Sequence, residues 1–411
     1  MSAALKPFAE ASRRHFANPR SWRARGDQEA FAELLPGGMT AAAELEISAW
    51  PGYRPSPLVS LPGLADAAAV GGIHYKDESG RFGLGSFKAL GGAYAVCRLL
   101  TEDLQQRHDI GGLDGAGLQS GRYAKLTAGL TVASATDGNH GRSVAWGARR
   151  FGCACVIYIH AEVSQGREQA LLAQGAEVVR VSGNYDDSVR RCAQDAERNG
   201  WTVVSDTSWQ GYRRIPLTVM AGYSVLVTEL IHELGRRPPS HVFVQGGVGG
   251  IAATVADLFA RTWQRERPRF IVVEPELAPC LYASAQAGAV RSVVIARETL
   301  MAGLSCGEVS PLAWEVLAWA ADDFMTIGEE LVAPAMKLLI DPPFGDARLV
   351  AGESAVAGLA AALAAGLSPK LRQSLELDAK SKILVIGTEG ATDAEIFSRL
   401  TGHQPDSGAQ A

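Results

Sequence analysis

The sequence lacks paired cysteines, clustered positive charge and grouped histidines, and each absence excludes a class of protein. Its six cysteines never take the C-x-x-C spacing of zinc or redox sites, and a chain of 411 residues does not depend on disulfides. The eight histidines are dispersed, so we expect no metal. Lysine and arginine are scattered and the formal net charge is -5, which gives no electrostatic footprint for nucleic acid.

Long apolar runs are also missing from the sequence. The N-terminal stretch MSAALKPFAEASRRHF lacks the apolar core of a secretory signal. The most apolar segment, Ala355 to Leu367, is too short to span a bilayer and is interpreted as a buried helix. We therefore expect a cytoplasmic protein with reduced cysteines and no membrane partner.

Short runs rich in valine and isoleucine alternate with amphipathic segments through most of the chain. Nearly continuous apolar runs are typical of strands buried on both faces of a parallel sheet, and amphipathic segments at 164–176 and 185–200 predict covering helices. Because 411 residues exceed the usual size of one core, we expect a large and a small α/β domain. The predicted strands are 73–78, 130–136, 154–160, 177–182, 202–206, 241–246, 270–275 and 382–387.

A lysine follows the first of four loops that come after predicted strands, where ligands of open α/β sheets bind. In KDESGRFGLGSFK a strand ends, a glycine-rich turn follows, and Lys88 opens a helix. The positive end of the helix dipole lowers the pKa of such a lysine, as a Schiff-base amine requires. The apolar neighbours Phe87, Ala89 and Leu90 favour a partly buried reactive amine over a solvated surface lysine.

The second loop, DGNHG at 137–141, makes a tight turn between a buried strand and a helix. Backbone N–H groups at such a helix start can bind a carboxylate or phosphate. The alternative is that Asp137 or Asn139 only caps the helix. Taken by itself, the segment favours capping.

The third loop is rich in glycine and joins a strand to a helix, an arrangement in which backbone amides cradle a phosphate. Its spacing, with Ala252 further on, also satisfies the dinucleotide pattern G-x-G-x-x-A, and the next strand ends in an acid, Glu274. A nicotinamide dehydrogenase therefore stays open at this point. The loop residues are Gly246, Gly247, Val248, Gly249 and Gly250.

The fourth loop follows a late buried strand that ends in Gly387 and Thr388, with Glu389 and Asp393 just beyond. Nothing in this segment alone excludes a plain turn at a strand end.

Together and in this order, the loops resemble the fold-type-II family of pyridoxal-phosphate enzymes, which includes threonine dehydratase and tryptophan synthase β. The similarity runs from about Tyr53 to Asp393 and is nearer to the diaminopropionate ammonia-lyase subfamily, in KDES-RFGLGSFKALGGAYA, ATDGNHG, NYDDSVR, SDTSWQGY, MAGLSCGE and GTEGATD. The resemblance implies open, mostly parallel sheets covered by helices and pyridoxal 5′-phosphate as cofactor. The large domain would comprise 1–89 and 215–411, and the small domain 90–214.

The resemblance also implies residue roles. Lys88 would carry the cofactor as a Schiff base, Asn139 would hydrogen-bond its phenolic oxygen, and Gly246 to Gly250 would hold its phosphate. Thr388 would face the pyridine nitrogen. A neutral partner there leaves the ring nitrogen unprotonated, which favours elimination over transamination.

Asp137 departs from the dehydratases, which have serine or threonine at this place in the loop that receives the substrate carboxylate. Burial and a neighbouring carboxylate would raise the pKa of Asp137, so that it could exchange a proton near neutral pH. A diamino substrate would supply the compensating ammonium. Asp206, in SDTSWQGY, is the second acid that the resemblance implies, at a strand end suited to reaching the substrate amine.

The implied reaction is α,β-elimination of 2,3-diaminopropionate to pyruvate and ammonia, with a homodimer as the expected assembly. A serine/threonine-type dehydratase, or a lyase of another 3-substituted alanine, would use the same machinery on a different leaving group. An NAD-dependent dehydrogenase depends on the third loop alone. A purely binding role is disfavoured, because it would make four cofactor-compatible loops a coincidence.

Overall fold

The structure is a computed structural model that describes residues 2–26, 33–136 and 138–405, so the predicted site residue Asp137 lies outside the described residues. The chain forms two compact units. The first unit contains the described residues of Met1–Leu34, Pro55–Gly85 and Leu226–Ala411, and the second contains those of Leu35–Arg54 and Ser86–Val225.

Strands and helices alternate along much of the chain. The strands are β1 (Arg13–Ala17), β2 (Leu58–Ser60), β3 (Gly72–Asp77), β4 (Thr131–Ala135), β5 (Ala154–His160), β6 (Glu177–Val181), β7 (Thr202–Val203), β8 (His241–Gln245), β9 (Arg269–Pro275), β10 (Asp323–Ile327) and β11 (Lys382–Gly387). The helices are α1 (Lys6–Glu10), α2 (Trp22–Arg25), α3 (Gly37–Ser48), α4 (Pro62–Ala67), α5 (Lys88–His108), α6 (Gly115–Gln119), α7 (Ala124–Thr127), α8 (Asn139–Phe151), α9 (Gln165–Leu172), α10 (Tyr185–Asn199), α11 (Arg214–Leu234), α12 (Gly250–Trp263), α13 (Cys280–Ala287), α14 (Pro311–Ala320), α15 (Val332–Ile340), α16 (Ala357–Gly366), α17 (Pro369–Leu375) and α18 (Ala394–Thr401).

Each unit is built on its own sheet. The first unit has seven strands in the order β1-β10-β9-β8-β11-β3-β2, parallel except for the edge strands β1 and β2. The second has four parallel strands in the order β6-β5-β4-β7. The expected class of open, mostly parallel sheets covered by helices is confirmed.

All eight predicted strands are present, whereas β1, β2 and β10 escaped the sequence analysis. The two edge strands carry polar or incompletely buried sequences such as RRHFA, which lack the valine-rich pattern of a central strand. The third, DFMTI, is buried throughout but begins with an acid, and Asp323 is neutralised there by Arg269. Its ion pair is a tertiary contact that the local sequence does not encode.

The apolar segment predicted as a buried helix is α16, and all of its ten residues are buried. A second apolar helix, α11, is long and apolar enough to cross a membrane by length and composition, but 72% of its most apolar window is buried within the protein. A composition that suits lipid suits the protein interior equally well.

The unit boundaries differ from the predicted domain boundaries at both ends of the intervening segment. The break falls after Gly85 and after Val225, and residues 35–54 join the second unit. The helix that begins at Lys88 therefore lies wholly in the second unit, where α5 packs along α8.

The contacts that join residues 35–54 to the second unit include hydrogen bonds to one carboxylate and aromatic packing. The Glu46 carboxylate in α3 accepts hydrogen bonds from the Trp50 indole N–H (2.6 Å) and from the Gly115 backbone N–H (3.0 Å). The Trp50 ring packs against Phe151, with ring centroids 5.5 Å apart. Contacts between residues so distant in sequence leave no local pattern from which this boundary could be predicted.

Candidate active site

Lys88 is the first residue of α5, as the sequence predicted. Its backbone N–H donates to the Ser86 hydroxyl (3.2 Å), which fixes the chain as it enters the helix. The Lys88 side chain is 22% exposed, so the amine is neither sealed in the core nor fully solvated. Its ammonium lies 5.3 Å from the centre of the Phe87 ring and 5.5 Å from that of Tyr223.

The Lys88 amine forms a hydrogen-bonded ion pair with Asp206. The Asp206 carboxylate is 19% exposed and comes from the loop after β7, more than a hundred residues along the chain. Both residues were predicted for the site from the resemblance, and the structure brings their side chains into direct contact.

The pKa of Lys88 is shifted in the direction opposite to the prediction. Burial by itself lowers the pKa of Lys88, but the Asp206 carboxylate and the Tyr223 hydroxyl together raise it well above its ordinary value. The predicted lowering by the helix dipole is wrong, because a full charge in contact outweighs a partial charge at a helix end. Burial by itself raises the pKa of Asp206. Lys88 and His140 lower it by more, so the net shift of the Asp206 pKa is downward.

His140 approaches the same carboxylate from α8. The ring is 6% exposed, and its Nε2 lies 3.0 Å from the Val204 carbonyl oxygen, so Nε2 is the protonated nitrogen that donates. The other nitrogen, Nδ1, lies 3.9 Å from the Asp206 carboxylate and has no hydrogen-bond partner among the described residues. Burial lowers the pKa of His140, whereas the neighbouring Asp206 carboxylate raises it, and the net shift is downward.

Tyr223 reaches Lys88 because α5 and α11 lie unusually close together. A Cβ added at Gly222 would lie 2.4 Å from the Leu90 carbonyl oxygen, and one added at Gly91 would lie 2.3 Å from the Tyr223 ring. Only glycine allows the two backbones to approach this closely. Burial raises the pKa of Tyr223, and the phenol is therefore protonated.

No role for His140 or Tyr223 was predicted from the sequence. His140 could have been found, because it lies inside the DGNHG loop already identified. Tyr223 left no local signal, since an aromatic residue on an apolar helix is the usual pattern of a core position. Asn139 begins α8 directly before His140 and is partly buried.

The glycine loop connects β8 to α12 in the first unit. Gly247 (φ 58°) and Gly249 (φ 99°) adopt left-handed backbone conformations, and a Cβ at Gly249 would lie 2.8 Å from the Ala313 side chain. A Cβ at Gly247 would make ordinary van der Waals contacts, the nearest 3.6 Å from the Gly303 carbonyl oxygen. The backbone N–H groups of Gly247 and Val248 make no hydrogen bond to another described residue, and they precede the N-terminus of α12.

Thr388 follows the strand beside this loop. β8 and β11 are parallel neighbours, so the residues after Gln245 and after Gly387 emerge at the same sheet edge. The Gln245 side-chain amide joins the two strands by donating to the Ile386 carbonyl oxygen (2.8 Å). Thr388 is 5% exposed, and within the described chain its hydroxyl makes no hydrogen bond.

Glu274, the acid that a dinucleotide site would require, is already engaged. Its two carboxylate oxygens accept the backbone N–H groups of Leu281 (2.8 Å) and Tyr282 (2.7 Å) at the start of α13, and the residue is 1% exposed. Burial raises the pKa of Glu274 to about 7. A buried carboxylate that caps a helix cannot bind a ribose. Of the two features that favoured a dehydrogenase, only the glycine pattern therefore remains.

Across residues 2–26, 33–136 and 138–405, no group of three or more histidine, cysteine and acidic side chains is arranged to hold a metal ion.

Comparison with known proteins places these features in a family. The model of a family described as "pyridoxal-phosphate dependent enzyme" matches residues 49–389. The chain is 40% identical over 354 residues to the diaminopropionate ammonia-lyase of Escherichia coli, which covers 85% of this chain and 87% of that protein. It is also similar to two crystal structures of the Escherichia coli enzyme. The complex with an aminoacrylate-PLP azomethine reaction intermediate has a TM-score of 0.83, 35% identity, and coverage of 95% of this chain and 97% of that one. The complex with D-serine has a TM-score of 0.85, 36% identity, and the same coverage.

Proposed function

Because the chain belongs to the pyridoxal-phosphate dependent enzymes and, within them, groups with the diaminopropionate ammonia-lyases, we propose that it converts 2,3-diaminopropionate and one water to pyruvate and two molecules of ammonia. The observation that carries the proposal is the partly exposed Lys88 amine at the head of α5, in contact with an ionised acid. A lysine so placed matches the reactive amine that this family requires.

The described residues fit pyridoxal phosphate in two respects. Gly247 and Gly249 adopt left-handed backbone conformations that favour glycine, beside backbone N–H groups without partners among the described residues. Such donors at the start of a helix suit a phosphate. The Thr388 hydroxyl at the same sheet edge suits a neutral hydrogen bond to a ring nitrogen.

We assign the holding roles accordingly. Lys88 would hold the cofactor covalently, Gly246 to Gly250 would hold its phosphate, and Asn139 and Thr388 would hydrogen-bond its phenolic oxygen and ring nitrogen. When bound, the cofactor supplies an electron sink that acidifies the substrate Cα–H bond and allows a β-substituent to depart.

The chain's own residues then manage protons. With Asp206 ionised, the Lys88 ammonium retains its proton. Transfer of that proton across the existing hydrogen bond to the Asp206 carboxylate leaves a neutral amine at Lys88, which can act as a nucleophile or as a base. The buried Tyr223 phenol stays protonated, and its ring centre lies 5.5 Å from the Lys88 amine.

Asp137 is proposed as a second proton-transfer group. Lys88 can remove the α-proton from only one face of the substrate, and a carboxylate in the DGNHG loop would serve the other enantiomer. The Escherichia coli relative forms a complex with D-serine, which agrees with a site that admits D-amino acids.

The assay that tests the function offers purified protein D- and L-2,3-diaminopropionate, serine and threonine, and follows pyruvate, 2-oxobutyrate and ammonia. The expected result is fastest turnover of diaminopropionate, with two ammonia molecules for each pyruvate. Faster turnover of serine or threonine would instead identify a dehydratase, the principal alternative.

Cytoplasmic location and a homodimeric assembly are part of the proposal. The six cysteines are free thiols and four of them are buried, which suits a reducing compartment. Light scattering on the purified holoenzyme tests the assembly, and a mass of one chain would contradict it.

A further inference from the structure

The loop that carries Asp206 leaves its sheet before the acid is reached. β7 pairs with β4 only at Thr202 and Val203, and the Val204 N–H still donates to the Ala133 carbonyl oxygen (2.8 Å). Beyond Val204 the strand ladder ends. The position of Asp206 therefore depends on side chains that hold the neighbouring backbone.

Tyr212 supplies two of these hydrogen bonds through one oxygen. Its hydroxyl donates to the Val203 carbonyl oxygen (2.8 Å) and accepts the Ser205 N–H (3.1 Å). The Tyr212 hydroxyl thus replaces the missing strand partner on either side of Val204, directly before Asp206. Both the donor and the acceptor function of the phenol are used, as its protonated state requires.

Two further side chains hold the Val204 carbonyl oxygen from the other direction. His140 Nε2 donates to it over 3.0 Å, and the Ser134 hydroxyl donates over 2.7 Å. The backbone before Asp206 is therefore fixed on both sides.

The Tyr212 ring is itself fixed. It stacks on Trp209 with ring centroids 3.9 Å apart and an angle of 9° between the planes. The two residues also exchange backbone hydrogen bonds of 3.2 and 3.0 Å, so residues 209–212 form a tight turn, here called the clip. The outer face of this clip is the Trp209 side chain, which is 46% exposed.

We propose that Tyr212 is a positioning residue whose hydroxyl holds the Asp206 carboxylate on the Lys88 amine. The inference rests on the proposed function, because the placement of Asp206 matters only if Lys88 is the reacting amine. Tyr212 itself takes no part in proton transfer.

The charged and titratable groups around Asp206 set the expected direction of the effect. Lys88 faces the carboxylate from α5, His140 from α8 and Tyr223 from α11, while Tyr212 also lies near Cys192 and Arg214. Lys88 and His140 lower the pKa of Asp206, so a loosened carboxylate has a pKa closer to its ordinary value. The acid limb of the pH profile then moves to higher pH.

The test is Tyr212→Phe in the holoenzyme, which removes the hydroxyl and leaves the ring on Trp209. We expect kcat for diaminopropionate to fall by about 10- to 100-fold, since a misplacement near 1 Å is enough for such a loss. The cofactor should stay bound, and its visible absorbance should titrate at a higher pH on the acid side.

Tyr158→Phe is the matched control. Tyr158 is a buried tyrosine of the same unit whose hydroxyl donates to Asp195 (2.9 Å), away from the Asp206 loop. A merely structural role predicts that both variants lose some stability and that neither changes the pH profile. That result would overturn the proposal.

Asp206→Asn completes a double-mutant cycle. If Tyr212 acts through Asp206, the loss caused by Tyr212→Phe should vanish in the Asp206→Asn background. Independent losses in the double variant would overturn the inference while leaving the role of Asp206 intact. Full activity of Asp206→Asn alone would refute the role of Asp206 in the proposed function, and the inference with it.

Trp209→Leu is a second test of the Tyr212 hydroxyl. It removes the stacked ring from the solvent side without altering a group near Lys88. We expect a smaller shift of the acid limb in the same direction, and an unchanged profile would count against a fixed Tyr212.

Discussion

The lysine region of the second unit and the glycine loop of the first unit solve the problem of holding a charged group in different ways. Around Lys88, the working groups are side chains drawn from helices and loops far apart in sequence. In the glycine loop they are backbone N–H groups of consecutive residues, and four of its five residues are glycines. The first arrangement can be tuned through pKa values, whereas the second can be altered only through backbone shape.

Replacement of the amine should have the largest effect. Lys88→Ala removes the proposed nucleophile and base, and turnover should fall by about 10⁴-fold or more. Borohydride reduction followed by peptide mapping should label Lys88 in the wild type and no lysine in the variant.

Lys125→Ala, at an exposed lysine of the same unit, is the control and should behave as wild type. Label on another lysine of the wild-type protein would end the assignment of Lys88.

Backbone shape is tested by Gly247→Val. Valine at φ 58° is strained and would change the backbone shape of the loop, so the cofactor should be lost while the fold persists. Cofactor occupancy is read from visible absorbance, and unfolding is followed by circular dichroism.

Gly235→Val is a close control, because Gly235 has φ 59° and no atom within 4 Å of an added Cβ. Both variants should lose roughly 1–3 kcal/mol of stability from strain. Equal cofactor occupancy in the two would mean that the loop does not hold the phosphate.

Asp137→Asn tests whether Asp137 is a second proton-transfer group that acts together with Lys88. Asparagine caps a helix about as well as aspartate, so the turn and the cofactor should be retained. Turnover should fall by roughly 10²–10⁴-fold for one enantiomer of diaminopropionate and much less for the other.

Stability separates the two interpretations of Asp137. A capping role predicts near-normal kinetics for Asp137→Asn with both enantiomers and a loss of about 1 kcal/mol in Asp137→Ala. That pattern would return Asp137 to a structural role and weaken the case for a diamino substrate over serine or threonine.

The smallest effect on activity is expected for Glu274→Gln, since this carboxylate serves the fold near the glycine loop. Burial raises the pKa of Glu274 from 4.5 to about 7, so the folded protein holds a proton that the unfolded chain has released between these values. The contribution of Glu274 to stability is therefore lost as pH rises across that window, by roughly 3 kcal/mol in total.

Chemical denaturation from pH 4 to pH 8 checks this prediction. The free energy of unfolding of the wild type, relative to Glu274→Gln, should fall as pH rises from about 4.5 to about 7. A constant difference across this range would show that Glu274 is not titrating, and a large loss of turnover would indicate a direct role in the site.

Local sequence was enough to predict the glycine loop, but it predicted only part of the region around Lys88. The glycine loop is contiguous, so its position after β8 and before α12 followed from residue order alone. Lys88 was likewise found at the head of α5, but the direction of its pKa shift was not, because Asp206 approaches from a distant loop. Tyr223 was missed for the same reason, since Gly91 and Gly222 reveal their role only when two helices meet.

The order of the chain through the first sheet has a consequence for synthesis. β3 lies between β2 and β11, yet β11 is about 300 residues further along the chain. At about 5–20 residues per second, a ribosome needs roughly 15–60 s to supply that partner. During this interval one edge of β3 lacks its second neighbour, whereas all four strands of the second unit emerge. The nascent chain thus passes through a stage in which one unit can be finished while the other still exposes strand edges, which is where a chaperone would be most useful.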